Sequence, residues 1–369
     1  MRLEAAELVR VTIPLVGAFT AAFGTLAARD VLLVRLVTDV GEGWGECTTL
    51  AEPFYNEEFF DASAIVLRRW LLPPLFQRSE LRADEVRSVA SRVKGFAAAK
   101  AAVEMALLDA ELRHEGRSLS SYLGGTRSRV DVGVVVGILG SVHELCETVA
   151  RFVAEGYARV KLKIEPGWDH QPASAVREAF DTLPLQVDAN AAYDPSSADR
   201  LLALDGLNLL MIEQPFAADD IDAHRRLATR MATPICLDES IPSLNAAVTA
   251  LDTGACSIVN LKVGRVGGVI EARRIHDLCR ARGVPVWCGG MAETGVGRAA
   301  NVALASLPGF TLPGDISASS RYFARDVTAP FELVGSSLAV PGGAGLGVSV
   351  DDDFLTELGA TREVVRGAR

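Results

Sequence analysis

Five ionisable residues each close a short apolar run, and they recur at a near-constant interval. Lys163, Asp188, Glu213, Asp238 and Lys262 sit in ARVKLKI, LPLQVDAN, LLMIEQP, ICLDES and IVNLKVG, at steps of 25, 25, 25 and 24 residues. Three carboxylates with no cysteine or histidine among them make an all-oxygen donor set. Brought together they repel unless protonated or bridged by a cation, and such oxygens suit a hard divalent ion, Mg²⁺ or Mn²⁺. The two lysines add proton acceptors. A substrate carboxylate chelated by the ion would lose its α-proton to one lysine while the ion stabilises the enediolate charge. Reprotonation from the opposite face then racemises, and loss of a β-leaving group dehydrates. Lys161 precedes Lys163 by two residues, so it points to the same side of a strand. Its charge is expected to lower the pKa of Lys163 toward that of a usable base.

The interval identifies the elements that must hold these groups. One strand, one helix and two short loops consume about 25 to 30 residues. A charged residue at the end of each apolar strand describes a β/α barrel with its site at the C-terminal strand ends. Eight strands are expected near 131–138, 159–164, 185–189, 209–213, 235–238, 257–262, 285–289 and 309–313. Asp188, Glu213 and Asp238 then fall on adjacent strands about 4.8 Å apart, at one height. Lys163 and Lys262 fall on the second and sixth strands, diametrically opposed in a ring of eight.

The chain before the barrel reads differently. Strands are expected at 2–15 and 30–38, a turn at DVGEGWGE, and a helix over 83–115 that stops at Gly116. The fold class expected is α/β: an α+β capping domain over 1–128, a barrel over 129–318, and a segment over 319–369 that packs back on the first domain.

Length and composition set bounds. The 369 residues suffice for one large barrel and a smaller domain. No apolar run approaches the roughly 20 residues of a membrane-spanning helix, and the acidic N-terminus lacks signal-peptide features. The net charge of −10, with a pI near 5.2, argues against nucleic acid or an anionic membrane as partner. The six cysteines form no C-x-x-C pair and read as free thiols in a reducing cytoplasm. All five histidines lie off the expected strand ends, in surface or helix-dipole positions. Cys288, at the end of the seventh strand, has no histidine partner in view and reads as packing. The stretch GGMAETGVGR after it leads into a helix, whose first N–H groups could hold an anionic end of a substrate; an ordinary βα turn accounts for it equally.

At these residues the chain resembles the enolase superfamily, muconate-lactonising subgroup. It has that subgroup's K-x-K (Lys161, Lys163), metal-ligand positions at Asp188, Glu213 and Asp238, and the second lysine at Lys262. More narrowly it is similar to the o-succinylbenzoate synthase / N-acylamino acid racemase family, nearly end to end. The most specific stretches are VKLKIEPGWD, QVDANAAY, PICLDES, GRVGG and PVWCGGMAETGVGRAANVALASLPGFTLPGD. The resemblance implies a modified TIM barrel, (β/α)₇β, under an α+β cap. It also implies Mg²⁺ dependence, with Mn²⁺ able to substitute, a small carboxylate substrate and a homo-oligomer. A pocket closed by loops 17–25 and 49–57 is implied, with Phe19, Phe23 and Tyr55 as apolar contacts and Asn190, Gly290, Met291 and Ala292 as further ones. Arg265, three residues past Lys262, would tune that lysine, or else form a barrel-rim salt bridge. Val135 and Ala292 depart from the residues common in relatives and bear on the substrate, not on the proton chemistry. The activities implied are dehydration of 2-succinyl-6-hydroxy-2,4-cyclohexadiene-1-carboxylate, a step toward menaquinone, and racemisation of N-succinylamino acids. Dipeptide epimerisation, cycloisomerisation and a non-catalytic scaffold are the alternatives.

Overall fold

The computed structural model describes residues 1–367. Its first domain is built on a four-stranded sheet. Strands β1 (Leu3–Ala21), β2 (Gly24–Thr38) and β3 (Gly41–Cys47) form a meander, and the last strand of the chain completes the sheet beside β1. The first two strands outrun their expected lengths. Residues 17–25, expected as a loop, are the tip of a hairpin in which Phe19 pairs with Leu26 and Ala21 with Gly24. The register shift between Pro14 and Phe19 bends that tip toward the barrel, where Thr20 O accepts from Ile138 N at 2.8 Å.

The glycine-rich stretch read as a turn is strand β3. Glycine usually weakens a strand, but here it permits close approach. A methyl group on Gly43 or Gly45 would collide with the carbonyl oxygens of Ala106 and Ala102. Both carbonyls belong to the helix Ala97–Glu115, which lies against the sheet. That helix is shorter than the 83–115 expected. Gly95 and Phe96 both take positive φ, and 83–92 is three separate short helical turns. The helix ends on Gly116 at φ +65°, as its sequence implied.

The run expected as one strand at 131–138 is divided. Strand β4 (Arg129–Asp131) pairs outside the barrel, and β5 (Val134–Val136) opens it. Strands β6 (Val160–Lys163), β7 (Leu185–Asp188), β8 (Ile212–Glu213), β9 (Ile235–Leu237), β10 (Ile258–Leu261) and β11 (Val286–Cys288) follow. These seven lie side by side in chain order, all parallel. The eighth stretch closes the ring without forming a strand. Phe310 bridges Val286 on one side, Gly314 bridges Val132 on the other, and Asp315 N donates to Cys288 O at 2.9 Å. Pro313 has no N–H for a ladder, and Gly309 and Gly314 flank it, so only single-point pairing survives.

Past the barrel, β12 (Ser337–Ala339) pairs with β4, and β13 (Thr361–Val365) runs antiparallel to β1. All six cysteines are free. Two histidines expected near the surface are buried. His224 takes the Phe216 N–H on Nε2, and His276 stacks on Phe310 while taking the Gly309 N–H. Among the described residues no helix is long and apolar enough to cross a membrane.

Candidate active site

The strand ends of the barrel converge beneath the hairpin tip and the 49–57 loop of the cap. One cavity there is lined by Lys161, Lys163 and Lys262 together with Phe19, Phe23, Tyr55, Asn190, Gly290, Met291 and Ala292. Val135, Leu15, Leu26, Leu50, Asp315 and Tyr322 complete its wall. The polar groups are at the barrel floor and the apolar ones come mainly from the cap. Phe23 meets Tyr55 edge-on, with ring centres 6.2 Å apart.

Strand register explains the polar floor. Lys163 lies opposite Asp188, and Asp188 opposite Glu213. The residue opposite Glu213 is Cys236, so Asp238 lies one side-chain repeat further on, not at the common height expected. Barrel strands are tilted and staggered, so equal spacing along the chain does not guarantee equal level in the ladder. Asp238 also follows the end of β9. Its N–H is held by Gln214 Oε1 at 3.0 Å, and Gln214 itself has φ +37°. Asn190 and Ala191, just past β7, also have positive φ. Backbone strain at strand ends is thus concentrated around the site, held by hydrogen bonds.

Each carboxylate is paired with a cation. Lys161 Nζ lies 3.1 Å from Asp188, 3.1 Å from Glu213 and 2.5 Å from Asp315, above the Trp287 ring. Burial opposes its charge, but Asp315, Glu213 and Asp188 outweigh it and raise the Lys161 pKa. Lys163 Nζ lies 2.6 Å from Asp188 and 2.5 Å from Asn190 Oδ1. Here burial prevails over Asp188, and with the Lys161 charge beside it the Lys163 pKa is lowered. The direction is that expected from the K-x-K spacing; burial is the larger cause. Lys262 Nζ lies 2.8 Å from Asp238 and 2.9 Å from the Tyr55 hydroxyl. Burial again opposes its charge, but Tyr55 and Glu239 turn the balance and raise its pKa. The Arg265 guanidinium is bonded to Asp238 and, through Nε, to Ile241 O at 3.1 Å. It acts on the carboxylate that Lys262 also touches, and its third nitrogen donates to Asn260 O at 2.5 Å.

Several site residues escaped the strand-end pattern. Gln186 Nε2 and Asn260 Nδ2 donate to the two oxygens of Glu213, at 2.6 and 2.7 Å. Each precedes a strand-end residue by two, the same step that singled out Lys161, so the alternation of a strand could have found them. Asp315 pairs with Lys161 and with Arg159. It ends the eighth apolar run, as Asp188 ends the third. Glu239 accepts from Asn190 Nδ2 at 2.9 Å, and nothing in its spacing distinguishes it from a surface carboxylate.

The helix after GGMAET is not free for a substrate. Glu46 of β3 accepts from Thr294 N, the Thr294 hydroxyl and Gly297 N, and Asp326 takes the Gly295 N–H. The cap and the C-terminal segment already supply the negative charge that this helix start attracts. Of that stretch, Gly290, Met291 and Ala292 face the cavity.

Among the described residues, no group of three His, Cys, Asp or Glu side chains is already gathered as an ion cluster. The donor chemistry nonetheless fits a hard divalent cation. All donors are oxygens, and a further carboxylate oxygen, Glu239 Oε2, is buried beside them with no hydrogen-bond partner.

Residues 5–124 match the mandelate racemase / muconate lactonizing enzyme N-terminal domain, and residues 144–354 match the enolase C-terminal domain-like family. An N-succinylamino acid racemase from Amycolatopsis sp is 53% identical over 97% of this chain and 98% of its own length. An o-succinylbenzoate synthase from Geobacillus kaustophilus is 47% identical over 90% of this chain and 89% of its own. The crystal structure of an enolase-superfamily member from Listeria innocua superposes with a TM-score of 0.95, at 40% identity, covering 99% of both chains. With the strand-end lysines and carboxylates under an α+β cap, these matches show that the chain belongs to the mandelate racemase / muconate lactonizing enzyme family of the enolase superfamily.

Proposed function

We propose that this protein removes the proton α to a carboxylate, and that it acts as an N-succinylamino acid racemase, an o-succinylbenzoate synthase, or both. The observation that carries the reading is the entry of two buried lysines into one cavity from strands four apart in the ring. Lys163 on β6 and Lys262 just past β10 then address opposite faces of one α-carbon. Relatives of similar identity carry the two names, which supports placing both reactions at one site. Dipeptide epimerisation is a more distant alternative.

In this reading Asp188, Glu213 and Asp238 hold a divalent cation, Mg²⁺ or Mn²⁺. When bound, the cation supplies positive charge for the substrate carboxylate and for the negative charge that builds on it. Lys163, with its pKa lowered, takes the α-proton. For racemisation the protonated Lys262 returns a proton to the other face. For dehydration Lys163 can pass its proton to the leaving hydroxyl, and Lys262 then serves as a fixed positive charge. Lys161, locked among three carboxylates, stays charged and holds the floor together. The side chains of the cap exclude water from the cavity and receive the apolar part of the substrate.

The test is a kinetic comparison on one preparation. N-succinylamino acid enantiomers and 2-succinyl-6-hydroxy-2,4-cyclohexadiene-1-carboxylate are offered with Mg²⁺ and then with excess chelator. Turnover of at least one, lost on chelation and restored by Mg²⁺ or Mn²⁺, is the expected result. Inactivity toward both would leave dipeptide epimerisation, cycloisomerisation and the scaffold as the alternatives, and full activity in chelator would remove the cation from the mechanism.

A further inference from the structure

We propose that Glu239 is a positioning residue for Lys163, acting through the side-chain amide of Asn190; the inference rests on the proton-abstraction reading above. Three contacts carry it. Lys163 Nζ lies 2.6 Å from Asp188 Oδ2 and 2.5 Å from Asn190 Oδ1. Asn190 Nδ2 donates to Glu239 Oε1 at 2.9 Å. The backbone of Asn190 is pinned as well, in the left-handed region at φ +40°, with its N–H on Asp188 Oδ1 at 3.0 Å.

The valence of the amine makes this chain of contacts directional. A neutral lysine has two N–H bonds and one lone pair. Asp188 and the Asn190 carbonyl are two acceptors, and together they use both N–H bonds. The lone pair then takes the remaining tetrahedral direction, into the cavity that Lys163 lines. That is the orientation a base needs.

An asparagine amide has nearly the same shape either way round. Were it turned over, Nδ2 would face Lys163, and the amine could satisfy it only by giving up its lone pair as acceptor. The base would be occupied in its own wall. Glu239 prevents this. Its Oε1 takes the Nδ2 hydrogen at 2.9 Å, so the Nδ2 side of Asn190 faces Glu239 and the carbonyl is left for Lys163. No such relay reaches Lys262, whose Nζ contacts are Asp238, Tyr55 and the Met291 sulfur. The hydrogen-bonded relay is therefore specific to one face of the substrate, and Glu239 reaches Lys262 through its charge alone.

The experiment follows α-proton exchange of each N-succinylamino acid enantiomer in D₂O by NMR. Lys163→Ala in the wild-type background identifies the enantiomer that this lysine serves. Glu239→Gln keeps the shape but can present either a donor or an acceptor to Asn190. It is expected to slow exchange of that enantiomer by about tenfold or more, a part of the roughly 10²- to 10⁴-fold that a general base contributes. Exchange of the other enantiomer should change less, by no more than about threefold, since Glu239 acts on Lys262 only through its charge and not through a hydrogen bond. In an Asn190→Ala background, Glu239→Gln should add no further loss, because the relay is already cut. Equal loss with both enantiomers, as a role for Glu239 in the fold or the cation site would produce, overturns the assignment. So does an undiminished further loss in the double variant. A wild type that exchanges neither enantiomer would instead overturn the functional reading itself, and this assignment with it.

Discussion

Lys163 and Asp188 face each other across the β6–β7 ladder, with Nζ 2.6 Å from Oδ2. On the far side of the barrel Lys262 makes the corresponding contact with Asp238, at 2.8 Å. Each lysine assigned to proton transfer is thus held by a different carboxylate, and the two are structurally independent.

That independence leads to the first prediction. Lys163→Ala and Lys262→Ala should each abolish racemisation, a loss of at least about 10²-fold. In D₂O each variant should retain α-proton exchange with one enantiomer only, and the retained enantiomer should differ between them. Interconversion at near wild-type rate in either variant would show that the two-lysine assignment is wrong.

Phe19 lines the cavity from the hairpin tip and touches none of the lysines or carboxylates by hydrogen bond or charge. Phe19→Ala should raise KM for N-succinylamino acids with large apolar side chains by roughly tenfold, with little change for small ones. Steady-state kinetics over a series of side-chain sizes checks this. A uniform loss across the series would assign Phe19 to packing.

Glu104 predicts a pH dependence of stability away from the site. It is buried in the cap helix Ala97–Glu115 and accepts from Ile270 N, at the start of the barrel helix Val269–Ala281, at 3.1 Å. Burial, aided by the nearby Glu271 and opposed by those backbone N–H groups and by Arg87, raises its pKa from 4.5 to about 8. The folded state therefore keeps a proton that the unfolded state has released between these values. Its contribution to stability is full below about pH 4.5, is lost as pH rises to about 8, and is constant above. Glu104→Gln cannot titrate there. The Tm of the wild type should fall relative to that of the variant between pH 5 and 8, and parallel Tm curves would refute the assignment.

Gly45 tests the close approach of sheet and helix in the cap. Gly45→Ala puts a methyl group against the Ala102 carbonyl. Overpacking of this kind costs about 1–3 kcal/mol or more. Denaturant unfolding should show that loss. An unchanged midpoint would mean that the helix can retreat freely from β3.

The strand-end charges were legible because barrel architecture is written locally. Each apolar run and its terminal lysine or carboxylate lie within a few residues of each other, and the period of one strand plus one helix repeats them. Alternation along a strand likewise gave Lys161 from Lys163. What closes and tunes the site is not local. Glu46 reaches Thr294 across 248 positions of chain, and Tyr55 reaches Lys262 across 207. No periodicity encodes such contacts, since they depend on how the cap settles on the barrel. The level of Asp238 was decided by strand stagger, a property of the closed ring. Glycine in β3 read as a turn because its purpose, room for a helix, appears only once the helix is in place. Glu239 could not be told from a solvent-facing acid until the barrel brought it against the amide of Asn190, 49 residues earlier in the chain.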